Sequence, residues 1–353
     1  MSEIKFGVFD HVERRGDSLN GLYQGRLELL REYDGAGFFC YHVAEHHATP
    51  LGMAPSPGIF LAAAAQCTRQ IHLGPLVYLL PLYNPLRLVA EICMLDQLSN
   101  GRFEIGVGRG VSPFELAYYG ISFMDSREIF DEALNVLVAG LRNERLSHRG
   151  PHYRFDSVPM ELKSRQRPNP PFWYGVSTQE SLMAAARRGM NMVTLGPNTL
   201  VKELSTRYRE EVAKHKGGTA DLNPQIGTPM IGAIRHIYVA GDEHEVEQIA
   251  APAYRKYYDN ITKLWLDFRT IPAVGFTPDL ARACQMQVAH AGTAERISDE
   301  LATFFETTDC SYLVLSFAWG GLEQDAARRS LDRFVTKVMP QFVNSAAVAR
   351  AAD

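Results

Sequence analysis

The sequence predicts an α/β fold, a closed (β/α)8 barrel with insertions, and three observations carry the prediction. Short apolar runs of strand length alternate with longer runs of helical spacing along nearly the entire chain. About eight such units follow one another, which favours a closed barrel over the alternative, an open doubly wound sheet. The 353 residues also suit one barrel, which can span from about 200 to over 400 residues. No internal repeat or low-complexity segment interrupts the pattern.

The elements follow in order. Residues 4–9 read as a short apolar strand, and 19–33 as a helix that Gly35 and Gly37 stop. Strand 38–43 precedes helix 57–67, which Ser56 caps and Pro57 opens. Strand 71–79 leads to helix 85–98, and Asn100 and Gly101 turn the chain into strand 103–107. Helix 126–141 starts at Asp125 or Ser126. A rigid, proline-rich segment, 165–171, introduces strand 172–176, helix 178–188, strand 191–195 and helix 200–216. A strand lies within 226–240 and a helix over 242–261. The stretch 262–290 carries two prolines and no clear period. Helix 293–307, strand 312–316 and helix 322–338 complete one domain, 1–340, and the small-residue tail 341–353 is expected to fray.

Composition narrows the function classes. Hydrophobic residues make up 46% and charged residues 22%, an ordinary globular balance. The formal net charge of −4 offers no electrostatic footprint for nucleic acid. Short basic pairs such as Arg187 and Arg188 read as solvated helix faces. The five cysteines contain no CxxC pair and several lie in apolar runs, so reduced thiols are expected rather than disulfides. No signal-peptide pattern opens the chain and no run of about 18 apolar residues spans a membrane, so a cytoplasmic location is expected.

In a barrel of this kind, chemistry sits on the loops after the strands. Three motifs fall there. Glu45, His46 and His47 follow the second strand. A histidine beside a carboxylate can hold a proton near neutral pH and act as general acid or base. The same residues could instead bind a metal with His42 or His11, or merely close the strand end with paired polar groups. The run Gly106, Val107, Gly108, Arg109, Gly110 follows the fourth strand. It lets backbone approach a ligand and presents a guanidinium to an anion, or it is a tight turn with a surface arginine. It is not a dinucleotide fingerprint, because position 111 is Val. Ser177, Thr178 and Ser181 stand where strand 172–176 meets its helix, an anion site or an ordinary cap. With Arg109, and Arg127 near the next helix start, they compose a candidate phosphate clamp. Leu76 and Val77 lie in an apolar run that reads as a buried barrel strand, and Tyr118, Tyr119, Phe123 and Trp319 as core or lid.

These residues, in this order, resemble the bacterial luciferase-like flavin-dependent monooxygenase family, most closely its alkanal-monooxygenase branch. The stretches VAEHH at 43–47, LLPLYNPLRLVAEICMLDQLSNGRFEIGVGRG at 79–110 and YLVLSFAWGGL from 312 carry the resemblance, which runs over nearly the whole chain. It implies a TIM barrel that binds FMN at the strand C-terminal face. It also implies reduced FMN delivered by a separate NAD(P)H:flavin reductase, and reaction with O2 to a C4a-(hydro)peroxyflavin that oxygenates a small apolar organic substrate. By the same resemblance Arg109 and Arg127 contact the FMN phosphate, Ser177 lends a backbone N–H, and Thr178 and Ser181 lend hydroxyls. Glu45, near the flavin, and His46, the acid or base, are implied as the catalytic residues. Leu76, Val77 and Gly108 border the isoalloxazine ring, and family members often carry a non-prolyl cis peptide at the first two. The stretch 262–290 takes the place of the family's mobile active-site lid, and a homodimer is implied.

The sequence departs from the light-emitting branch. Gly108 stands where that chain has Cys, Asn84 where it has His, and Ser177 where it has an acidic residue. Light emission is therefore not expected. Three other functions compete: an F420-dependent dehydrogenase on the same barrel, a non-catalytic flavin-binding relative, and a metal-dependent hydrolase built on His11, His46 and His47.

Overall fold

The computed structural model describes residues 3–343 except 17, 273, 274 and 276. The tail expected to fray lies outside the described residues from 344 onward.

Parallel strands alternate with helices around a barrel, as the sequence predicts. β1 (Lys5–Asp10), α1 (Leu19–Gly35), β2 (Cys40–Val43), α2 (Pro57–Cys67) and β3 (His72–Pro75) open the chain. The long third strand is broken at a cis peptide between Leu76 and Val77, and its continuation is β4 (Tyr78–Leu79). α3 (Pro85–Leu98), β5 (Ile105–Gly108), α4 (Pro113–Tyr118) and α5 (Ser126–Arg142) follow. An antiparallel hairpin, β6 (Arg145–Arg149) and β7 (Arg154–Pro159), is inserted before β8 (Phe172–Val176). Then come α6 (Gln179–Arg187), β9 (Asn191–Thr194), α7 (Asn198–His215) and β10 (Ile231–Val239). A single turn, α8 (Glu243–Glu245), and a π-helical stretch run into α9 (Ala251–Asp267). α10 (Leu280–Gln285), β11 (Ala289–Gly292), α11 (Ala294–Thr308), β12 (Tyr312–Ser316) and α12 (Gln324–Arg333) complete it.

The strand order is β3-β2-β1-β12-β10-β9-β8-β5-β4, with β11 paired to the upper part of β10. The ring closes between β3 and β5: the Leu73 amide donates to the Arg102 carbonyl and the Glu104 amide to the Leu73 carbonyl, both at 2.9 Å. Strand residues alternate between two environments. Phe9, Ala44, Leu76, Trp173, Val193, Ile234, Tyr312 and Val314 fill the barrel interior. Leu313, Leu315, Ala233 and Ile237, of opposite parity, join the core under the helices. Two pairs of buried polar groups satisfy one another low in the barrel: the Trp173 indole donates to Glu104 at 2.6 Å, and His42 Nε2 lies 2.9 Å from the Tyr312 hydroxyl.

Two expectations change. Residues 262–267 continue α9, with Thr262, Leu264 and Trp265 on its buried face. The helix-breaking prolines lie further on, at 272 and 278. α10 and β11 also fall wholly or partly within the stretch read as irregular. The hairpin β6–β7 has no counterpart in the predicted elements. Among the described residues no helix is long and apolar enough to cross a membrane.

Candidate functional site

All three motifs lie at the strand C-terminal end of the barrel. Past the end of β2, the side chains of Glu45 and His47 meet each other, while His46 between them reaches Glu115 instead. Glu45 is buried, and both its oxygens are in use. One lies 2.8 Å from His47 Nε2; the other accepts the Leu79 amide at 3.0 Å and the Tyr83 hydroxyl at 2.9 Å. Burial raises its pKa, and these partners only partly offset that. Glu45 therefore ties β2 to β4 and orients His47, whose other ring nitrogen meets the Tyr119 hydroxyl at 2.8 Å.

His46 is held differently. Its Nδ1 lies 3.1 Å from Glu115 Oε1, and its side chain is 21% exposed at the barrel mouth. Burial would lower the imidazole pKa, but the charge of Glu115, its hydrogen bond and the more distant Glu45 outweigh burial and hold it above the ordinary 6.5. Burial would likewise raise Glu115, yet His46 and the His47 amide, 2.7 Å away, bring it below the usual carboxylate value. His46 Nε2 has no hydrogen-bond partner among the described residues, so this nitrogen is available to a ligand.

β5 passes very close to the segment between β3 and β4. A Cβ on Gly106 would collide with the Pro75 carbonyl oxygen, and one on Gly108 with the Val77 side chain. The glycines of this motif thus make room for the Leu76–Val77 peptide. Gly110 adopts φ 91°, a left-handed turn that sends the chain from Arg109 toward α4.

The anion-binding candidates converge on the ends of β5 and β8. The Arg109 guanidinium stacks over Phe123 at 4.5 Å and has no carboxylate partner among the described residues. Arg127, in the first turn of α5, pairs with Glu180 of α6 at 3.0 Å, both largely exposed. Burial raises the pKa of Tyr174 on β8, and both arginines are close enough to oppose that. Thr178 and Ser181 form a reciprocal capping box at the α6 N-terminus, and the Ser177 amide donates to Ser181 Oγ at 3.1 Å. Two guanidiniums and an exposed helix N-terminus have the donor chemistry that fits a phosphate monoester. Glu180 does not spoil the fit, because a surface ion pair is worth only about 0–1 kcal/mol and yields to a dianion.

Sequence reasoning missed Glu115. Ser112, Pro113, Phe114 and Glu115 match a capping-box pattern, which assigns that carboxylate a local task. Half of the box is present, since the Glu115 amide donates to Ser112 Oγ at 3.3 Å, but the carboxylate reaches β2 instead. The three histidines considered as metal ligands do not combine. His47 is committed to Glu45 and Tyr119, and among the described residues no three His, Cys, Asp or Glu side chains have metal-binding geometry.

Comparison with known proteins bears on the family and the fold. A family model described as luciferase-like monooxygenase matches residues 4–311. The chain is 38% identical over 327 residues to an uncharacterized protein, y4wF, of Sinorhizobium fredii, covering 92% of this chain and 94% of that one. It is 28% identical over 364 residues to the oxygenase component of a flavin-dependent trigonelline monooxygenase from Acinetobacter baylyi, with 97% and 96% covered. Its fold matches that of the monooxygenase RslO1 from Streptomyces bottropensis with a TM-score of 0.85 at 25% identity, covering 96% and 100%.

Proposed function

The chain belongs to the luciferase-like monooxygenase family, and from that premise we propose that it is an FMN-dependent monooxygenase that uses reduced FMN and O2 to oxygenate a small, largely apolar organic molecule. Arg109 and Arg127 hold the phosphate, and the Ser177 amide and the hydroxyls of Thr178 and Ser181 turn to it from the capping contacts they make with one another. Leu76, Val77 and Gly108 form the surface against which the flavin ring rests. When bound, reduced FMN supplies the two electrons that allow one atom of O2 to enter the substrate while the other leaves as water.

The chain's own contribution is positioning and proton handling. Glu115 fixes the His46 ring through Nδ1 and raises its pKa, so Nε2 can give a proton at the reaction centre and take it back. Glu45 is a positioning residue, because its oxygens are occupied by β4, Tyr83 and His47. The segment 262–290, of which residues 273, 274 and 276 lie outside the described residues, serves as a lid that excludes water. A separate NAD(P)H:flavin reductase supplies reduced FMN, and the enzyme works in the cytoplasm as a homodimer. Relatedness to an oxygenase component supports the separate reductase.

The observation that carries this reading is His46 Nε2 at the barrel mouth, on the same face as the two-arginine cradle. Mixing the protein with reduced FMN and air-saturated buffer tests it. His46→Ala is expected to change the rate at which bound FMN is reoxidised while leaving its affinity within about twofold. An unchanged rate contradicts the role given to His46.

A further inference from the structure

The topmost inward-facing layer of the barrel contains buried polar atoms that the mechanism above does not use. On β12, Tyr312 and Val314 point inward, so Ser316 does too; on β10, Ile234 points inward, so His236 does. His236 and Ser316 are register partners. Phe9 on β1 points inward, and His11 follows on the same face. Just beyond it, Val12 sits at φ 51° with its amide held by Asp10 Oδ1 at 2.7 Å, a strained turn for a β-branched residue that leads the chain away from the barrel after β1. Trp319, just after β12, meets the His236 ring edge-on at 5.6 Å.

All four side chains are more than nine-tenths buried. His11 Nδ1, His236 Nε2, Ser316 Oγ and Trp319 Nε1 have no hydrogen-bond partner among the described residues. A buried polar atom that nothing satisfies is costly and rare, so four in one layer call for a ligand. The layer adjoins the reaction centre through a row of rings. Centroid distances are 5.5 Å from His46 to His11, 5.8 Å on to Tyr257, 4.2 Å to His236 and 5.6 Å to Trp319. In the closed strand order, β12 and β1 stand opposite β5 and β8, which carry the phosphate cradle. A flavin anchored there leaves this layer facing the substrate.

Resting on the function proposed above, we infer that His11, His236, Ser316 and Trp319 form a substrate-recognition layer for an uncharged aromatic molecule bearing a hydroxyl group. The indole N–H needs an acceptor and a neutral imidazole offers a lone pair to a donor; one hydroxyl supplies both. Burial, with the neighbouring histidines, pushes the His11 pKa well below its usual value, and burial takes His236 down to about 3, so both rings are neutral and suit an uncharged ligand. The row of rings suits an aromatic body.

The test uses flavin-free protein, so it is read independently of whether reduced FMN binds. p-Cresol and p-xylene, which differ by a hydroxyl in place of a methyl, are titrated by calorimetry, and the histidine nitrogens are followed by NMR. p-Cresol is expected to bind at least tenfold more tightly and to shift the His11 and His236 nitrogens. Trp319→Phe should reduce that preference below threefold and leave p-xylene affinity unchanged. Equal affinities, or no saturable binding of either probe, overturn the inference. So does FMN displacing p-cresol competitively while shifting the same nitrogens, which would assign these atoms to the flavin.

Discussion

Arg109→Ala probes the proposed phosphate cradle with the fewest side effects. The guanidinium stacks on Phe123 and is not engaged by a carboxylate among the described residues, so its removal leaves no charge unpaired. A charge-assisted hydrogen bond to an ionised group contributes about 1.5–3 kcal/mol, which corresponds to roughly 10- to 150-fold in Kd. Arg127 must first give up Glu180, an exposed pair worth about 0–1 kcal/mol, so Arg127→Ala should cost up to about 1 kcal/mol less. The assay is fluorescence titration of each variant with FMN and with riboflavin, which lacks the phosphate. Arg109→Ala should weaken FMN binding by one to two orders of magnitude and leave riboflavin within about twofold. Both losses should shrink as salt is raised, since exposed charges are screened. Equal weakening of both flavins, or no loss for FMN, would refute the assignment of Arg109 to the phosphate.

Two further outcomes follow from the geometry. In an NMR titration the His46 ring should change protonation above 6.5, and Glu115→Gln should move the midpoint downward because burial is then unopposed. The stability contribution of His46 is complete below 6.5 and fades as pH rises through its raised value, whereas that of Glu115 is present above 4.5 and fades as pH falls through its lowered value. The pair therefore stabilises most between about 4.5 and 6.5, and urea unfolding of Glu115→Gln against pH should lose that maximum; a midpoint unmoved by the substitution contradicts the pairing. Gly106→Ala drives a methyl into the Pro75 carbonyl oxygen, which is backbone and cannot swing aside, so a loss of about 3 kcal/mol is expected in denaturant unfolding; wild-type stability would show that β5 can move away.

The barrel strands were legible because they are largely buried on both faces and read as apolar runs, as in Tyr312–Ser316. The hairpin was not, because Arg145–Arg149 buries only Leu146 and its remaining residues are polar or charged. β11, of sequence AHAG, has little strand propensity of its own and exists through its pairing with His236–Val239. The candidate motifs were legible because turns and titratable residues at strand ends stand out against apolar strands. Glu115 was hidden behind a local capping pattern, since its contact with His46 spans 69 residues and depends on how β2 and α4 meet. His236 and Ser316 acquire meaning only once strand parity shows that they face inward.

The central claim, that reduced FMN is the working cofactor, is tested most directly by anaerobic titration of the protein with reduced FMN and, in parallel, reduced F420. The account predicts a saturable one-to-one complex with reduced FMN that Arg109→Ala weakens, and much weaker binding of F420. Tight binding of F420 with no complex of reduced FMN would contradict it.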